Sequence, residues 1–165
     1  MWESRHPVGG VVALGLVLLQ AQPPSRAAEF RARFAREPDP IHRAKLMPQL
    51  GDAEFQDIQR QISGGELSEA LEGFKEYREQ VQRCQKDLDA TGVDVEKHPN
   101  GFKQLQISLR QSLRRLDEAL VGLPSDEQQP FLNVRKDLDR INRHLIRELF
   151  PRQPGAEEEP QKPKS

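Results

Sequence analysis

Apolar residues in this 165-residue chain recur at alternating spacings of three and four, the repeat that places side chains on one face of an α-helix. The pattern is clearest over residues 66–91, which we predict to be one amphipathic helix ended by Gly92. Its repeating positions hold Leu67, Ala70, Phe74, Tyr77, Val81, Cys84 and Leu88. The composition agrees, because 31% charged and only 5% aromatic residues suit charged helical surfaces over an aliphatic core and argue against β architecture.

Three further segments, residues 41–63, 102–121 and 131–149, repeat the same spacing. Short breaks containing glycine or proline separate them, and such breaks join antiparallel helix neighbours. We therefore predict an all-α fold, an up-down antiparallel bundle of about four helices over residues 40–150. Residues 28–39 form a lead-in, in which Phe30 and Phe34 would share one side of a short helix.

Two positions near the start of the bundle bear on the shape of its first helix. Asp39 followed by Pro40 predicts a helix start, with aspartate as the N-cap and proline at the first helical position. Pro48 and Gly51 interrupt the segment that follows. They predict a kink, or two shorter helices of which Asp52 caps the second.

The last helix is preceded by Ser125, Asp126, Glu127 and Gln128, an S-x-x-Q pattern typical of a capping box. Pro130 follows so closely that the first turn should be irregular or 3₁₀. The same four residues resemble part of the Leu-Thr-x-x-Gln signature of small periplasmic chaperones, although Pro124 stands where leucine would precede the hydroxyl residue. We assign no function from this resemblance.

Both ends of the chain differ from the bundle. Residues 8–19 are uncharged and mostly apolar, Arg5 and His6 precede them, and Ser25 and Ala27 place small residues at −3 and −1 of a cut after Ala27. This predicts a secretory signal peptide over residues 1–27. As a helix the apolar run would be about 18 Å long, too short for a hydrocarbon core of about 30 Å. Residues 151–165 contain no large apolar residue and are predicted to be a disordered tail.

The signal peptide places the protein outside the cytoplasm, as a periplasmic or secreted protein. Two alternatives stay open, an uncleaved anchor that holds the chain in the inner membrane through residues 8–19, and a buried helix of a cytosolic protein.

The sequence contains no recognisable catalytic or metal-binding pattern. The four histidines, His6, His42, His98 and His144, lack the paired Glu-x-x-His motifs of a di-iron bundle. Cys84 is the single cysteine and occupies a core position of its helix, which predicts a buried, structural thiol. No G-x-S-x-G or phosphate-binding loop occurs, and Ser108 and Ser112 have no base placed beside them in sequence. We predict a protein without catalytic residues, metal or cofactor.

One surface is distinctive, because residues 97–115 contain no acidic side chain. Lys103, Ile107, Arg110 and Arg114 lie on one face of the third bundle helix and are called the basic stripe. In one interpretation the stripe packs against the acidic end of the preceding helix, formed by Asp87, Asp89, Asp94 and Glu96. In the other it is a docking surface for a partner, with arginine forks around an apolar centre.

Taken together, these features predict an exported, non-catalytic helical bundle that is an interaction or structural component of the cell envelope. Its partner would be another envelope protein or a second copy. The 25 basic and 26 acidic residues give no general field for nucleic acid, and membrane contact is expected only through an uncleaved signal segment. The alternative is a small periplasmic helical chaperone or stress-binding protein, which an exposed apolar patch would favour.

Overall fold

The computed structural model describes residues 25–151, which form five α-helices and no β-strand. The helices are α1 (Arg26–Arg36), α2 (Pro40–Ser63), α3 (Leu67–Asp89), α4 (Asn100–Val121) and α5 (Gln128–Leu149). The all-α class is confirmed, and the described residues form five helices rather than about four, because the predicted lead-in adds α1 to the four helices that follow it. The hydrophobic run of the predicted signal peptide and the tail from residue 152 onward lie outside the described residues.

Helix α1 begins inside the predicted signal peptide. The Ser25 side chain caps it, accepting a hydrogen bond of 3.2 Å from the backbone N–H of Ala28. Ala27 and Phe34 are buried as the helix packs along α2. The extended backbone of Glu37, ahead of Pro38, ends the helix.

Helix α2 begins as the sequence predicts. Asp39 Oδ1 accepts a hydrogen bond of 2.6 Å from the backbone N–H of His42, and Pro40 occupies the first helical position. The alternative of two shorter helices is wrong, because α2 continues through Pro48 as one element. Asp52 does not cap a new helix but pairs with Arg115 of α4, with 2.5 Å between Oδ1 and Nη2. Residues on both sides of Pro48 are buried in the core. The free energy gained by this burial outweighs the loss of the one backbone hydrogen bond that proline removes.

The predicted capping box at the start of α5 does not form. The helix begins at Gln128, and the preceding Glu127 makes no side-chain cap. Gln128 Nε2 instead donates to the carbonyl oxygens of Leu120 and Leu123, at 3.1 and 3.0 Å. The glutamine therefore ties the start of α5 to the end of α4, while Pro130 fits the first turn because its missing N–H has no helical acceptor there.

Helices α2 to α5 form the bundle, in which α2 and α5 each pack against both α3 and α4. Helix α1 packs against α2. Helices that follow one another along the chain are antiparallel, as predicted. The side-by-side pairs α2/α4 and α3/α5, however, are parallel. Gly101 lies against Ile41 near the start of both α4 and α2, and Arg115 meets Asp52 further along both. These parallel pairs follow from the alternation of helix direction along the chain.

The parallel pair α3/α5 is joined by two contacts in the same chain direction. Arg78 Nη1 lies 3.3 Å from Asp137 Oδ2, and His144 Nε2 lies 3.3 Å from Asp89 Oδ2. The two helical hairpins, α2/α3 and α4/α5, therefore lie side by side.

Aromatic side chains fill the centre of the bundle. Phe55 and Phe74 meet edge to face with ring centroids 5.2 Å apart, and Phe74 meets Phe131 in the same way at 5.7 Å. Close approach at the bundle end requires glycine at position 101, since a Cβ there would lie 2.6 Å from Leu88 Cδ2. None of the five helices combines the length and the apolar character needed to cross a bilayer.

Candidate functional site

The basic stripe lies on the outward face of α4. Lys103, Arg110 and Arg114 are exposed, and Ile107 between them is partly buried. The helix buries its opposite side against the bundle, including Leu105. The structure therefore brings the four predicted residues together as one continuous surface.

Three of the four acidic residues predicted to face the stripe pair with other groups. Asp87 pairs with Arg43 of α2, Asp89 with His144 of α5, and Asp94 with Lys97 in its own loop. Within residues 25–151, Lys103, Arg110 and Arg114 form no ion pair. Asp87, Asp89 and Asp94 therefore do not supply the ion pairs that the intramolecular interpretation of the stripe requires.

Cys84 and the two serines of α4 occupy the interior. Cys84 is fully buried, and burial raises the pKa of its thiol to about 12, so the protonated form prevails near neutral pH. Ser112 shares a hydrogen bond of 2.6 Å with the Tyr77 hydroxyl, and Ser108 is buried in the same helix. These groups link α3 to α4 in the core.

The histidines are spread over the molecule. His42 lies in the first turn of α2, His98 in the loop before α4, and His144 on α5. In the part of the chain that the structure describes, no three histidine, cysteine or acidic side chains are grouped so as to hold a metal ion. His6 lies outside the described residues.

A buried carboxylate on α2, Glu54, is the polar group that the sequence analysis did not single out. The residue is only 2% exposed. Glu54 Oε1 accepts a hydrogen bond of 2.9 Å from Gln80 Nε2 of α3 and lies 2.9 Å from Arg31 Nε of α1. Glu54 Oε2 is buried and has no hydrogen-bond partner. Burial raises the pKa of this carboxyl from 4.5 to about 7, with the Gln80 and Arg31 contacts opposing the rise.

The sequence carries a signal for this burial. Glu54 lies four residues after Leu50 and four before Ile58, both of which are core positions of α2. A charged residue at such a position is rare unless it is paired or functional. Its partners could not be read from the chain, because Arg31 and Gln80 lie on other helices.

Glu54 lies at a cleft of about 500 Å³ between α1, α2 and α3. Arg31 closes one side, where its Nη1 lies 3.0 Å from Glu76 Oε2 of α3. Comparison of the chain with known protein families, with curated proteins and with solved structures gives no significant match.

Proposed function

We propose that this protein is exported under the direction of residues 1–27 and acts as a non-catalytic interaction component of the cell envelope, with the basic stripe as its docking surface. The observation that supports the docking role is that Lys103, Arg110 and Arg114 are exposed and unpaired. All three are exposed on one helix face and none is neutralised by a carboxylate of the described residues. A partner that presents carboxylates would complete this surface through charge-assisted hydrogen bonds.

The chaperone alternative has less support. Within residues 25–151, the exposed large apolar side chains are those of Val121, Leu132 and Phe150. Val121 ends α4 and Leu132 lies in the first turns of α5, whereas Phe150 follows the far end of α5. Scattered apolar residues of this kind are ordinary on soluble proteins, while binding of unfolded chains requires a larger continuous patch.

Reversal of two stripe charges tests the docking role. The double variant Arg110→Glu with Arg114→Glu should change the free energy of unfolding by no more than about 1 kcal/mol per residue, because the charges are exposed and unpaired. Crosslinking in intact cells, followed by mass spectrometry, should show fewer adducts to envelope proteins than the unaltered chain gives.

A matched control is available on α3, where Arg83 and Lys86 are also exposed. The variant Arg83→Glu with Lys86→Glu reverses the same charge on another face and should retain the adducts. Equal adduct yields from the two double variants would contradict docking through the stripe. Adducts consisting of a second copy of this chain would identify the partner as self.

Export is tested by the intact mass of the protein recovered from its native host. We expect a mature chain that begins at Ala28, because Ser25 and Ala27 fit the −3 and −1 positions of the cut. Such a chain lacks the Ser25 cap of α1, so its first helical turn should exchange amide hydrogens faster than the turns that follow. A mature chain that keeps Ser25 would contradict the predicted cut, and a cytoplasmic chain that starts at Met1 would contradict export.

A further inference from the structure

Helix α3 presents a row of exposed glutamates on its outward side. We call this row the acidic stripe, and its members are Glu69, Glu72, Glu76 and Glu79. Their spacings of three and four place them on one face of the helix. The side chains for which ion pairs are formed, those of Glu72, Glu76 and Glu79, keep more than half of their surface exposed.

Cations of the same chain neutralise only part of the acidic stripe. Two of them lie against its middle members, at 2.7 and 3.0 Å, namely Lys75 on Glu72 and Arg31 on Glu76. Glu69, at one end, forms no ion pair within residues 25–151. The other end meets a cation only at 3.8 Å. The two ends of the acidic stripe therefore carry most of its free charge.

The acidic stripe matches the basic stripe of α4 in length and spacing. The basic stripe extends from Lys103 to Arg114, an interval of 11 residues or about 16 Å, and the acidic stripe spans 10 residues or about 15 Å. Between the ends, Arg110 falls within one residue of a glutamate, Glu76 if the two helices run parallel and Glu72 if they run antiparallel. Each of the three cations can therefore meet a carboxylate in either direction.

Within one chain the two stripes lie on opposite sides of the molecule. Helices α3 and α4 are placed diagonally in the bundle, because α2 and α5 each pack against both of them. The Tyr77 hydroxyl of α3 shares a hydrogen bond with Ser112 of α4 in the core. The buried faces of α3 and α4 thus point toward each other and their exposed faces point apart. A chain cannot pair its own two stripes, whereas two copies can.

We propose that the basic stripe docks the acidic stripe of a second copy of this chain. The inference rests on the docking role proposed above and names its partner. One such contact neutralises both charged surfaces, whereas docking of an unrelated acidic protein would leave the acidic stripe unmatched. Because the two surfaces differ and face opposite ways, the contact is heterologous, and each added copy leaves one stripe free at either end of an open chain.

Sedimentation velocity of the full chain at about 20 mM and about 500 mM salt tests the proposal. A contact between exposed charges is weak and is screened by salt. We therefore expect an average mass that rises with protein concentration at low salt and returns to that of the monomer at high salt. Association through the apolar run of residues 8–19 would instead persist at high salt, and such persistence would overturn the proposal.

Reversal of charge on either stripe should prevent the association. Lys103→Glu with Arg114→Glu should weaken it by about tenfold or more, because two attractive pairs become repulsive. Glu69→Lys with Glu79→Lys should have an equal effect. All four side chains are exposed, and unchanged circular dichroism would verify that both variants fold.

A matched control reverses two carboxylates elsewhere. Glu127 and Glu148 are exposed near the two ends of α5, and Glu127→Lys with Glu148→Lys should weaken association by less than about twofold. An equal loss in this control would show attraction governed by net charge alone and would overturn the proposal.

An equimolar mixture of the two stripe variants gives the sharpest result. The native acidic stripe of one variant then faces the native basic stripe of the other, and the two reversed stripes also have opposite charge. The mixture should associate although neither variant does so alone. Failure of the mixture to associate, or a monomeric unaltered chain at low salt, would overturn the proposal.

Failure of this inference and failure of the docking role give different results. A chain that stays monomeric while Arg110→Glu with Arg114→Glu still loses adducts to other envelope proteins overturns the inference and leaves the docking role intact. A monomeric chain whose adducts are unchanged in that variant overturns both.

Discussion

Replacement of Phe74 by alanine should lower the free energy of unfolding by about 3–5 kcal/mol. Phe74 is fully buried and joins three helices, because its ring meets Phe55 of α2 and Phe131 of α5 edge to face. Truncation removes both aromatic contacts and leaves a cavity at the centre of the bundle, which the flanking helices cannot close without shifting. Urea unfolding monitored by circular dichroism measures the loss.

Phe150→Ala is the matched control, since it removes the same side chain from a position that is 54% exposed. Its effect should be about 0.5 kcal/mol or less. Equal decreases in the free energy of unfolding of the two variants would contradict a single cooperative core. Loss of the α-helical signal in two separate steps would contradict it as well.

The second large effect concerns Glu54 and the pH dependence of stability. Its carboxyl pKa is raised from 4.5 to about 7 in the folded chain, chiefly by burial. Between these two values the folded state binds more protons than the unfolded state, so stability falls as the pH rises. We expect this group to contribute a loss of about 2–3 kcal/mol between about pH 5 and about pH 8.

Glu54→Gln should remove that part of the pH dependence, because glutamine does not titrate. The measured quantity is the free energy of unfolding of both chains at each pH, and the informative result is the difference between their slopes. Other groups near Glu54, namely Arg31 on α1 and Glu76 on α3, are common to both chains and cancel in this difference. Parallel pH profiles for the two chains would show that burial does not shift the Glu54 carboxyl.

Local features of the chain were predictable from sequence. The three-four spacing of the repeating apolar positions from Leu67 to Leu88 predicted α3, and all of them except Leu67 are buried. Asp39 and Pro40 predicted the start of α2. These features depend on residues within about one helical turn of each other, so the information lies in neighbouring letters of the sequence.

Other local patterns were overridden by contacts made elsewhere. Pro48 did not divide α2, because residues on either side of it are buried against the rest of the bundle. Ser125 did not cap α5, since Gln128 bonds to carbonyl groups at the end of α4 instead. In both cases the competing interaction joins parts of the fold that the motif does not include.

The sequence by itself determined the all-α class, the approximate helix bounds and the single face on which the basic stripe lies, because helical periodicity is a property of nearby residues. Only the tertiary structure decided which helices run side by side, in particular that α2 packs along α4, and that the carboxylate of Glu54 is buried between Arg31 and Gln80. Those three residues are separated by more than 20 positions along the chain and belong to three helices. Their meeting depends on how whole helix faces pack together, and no local spacing encodes that arrangement.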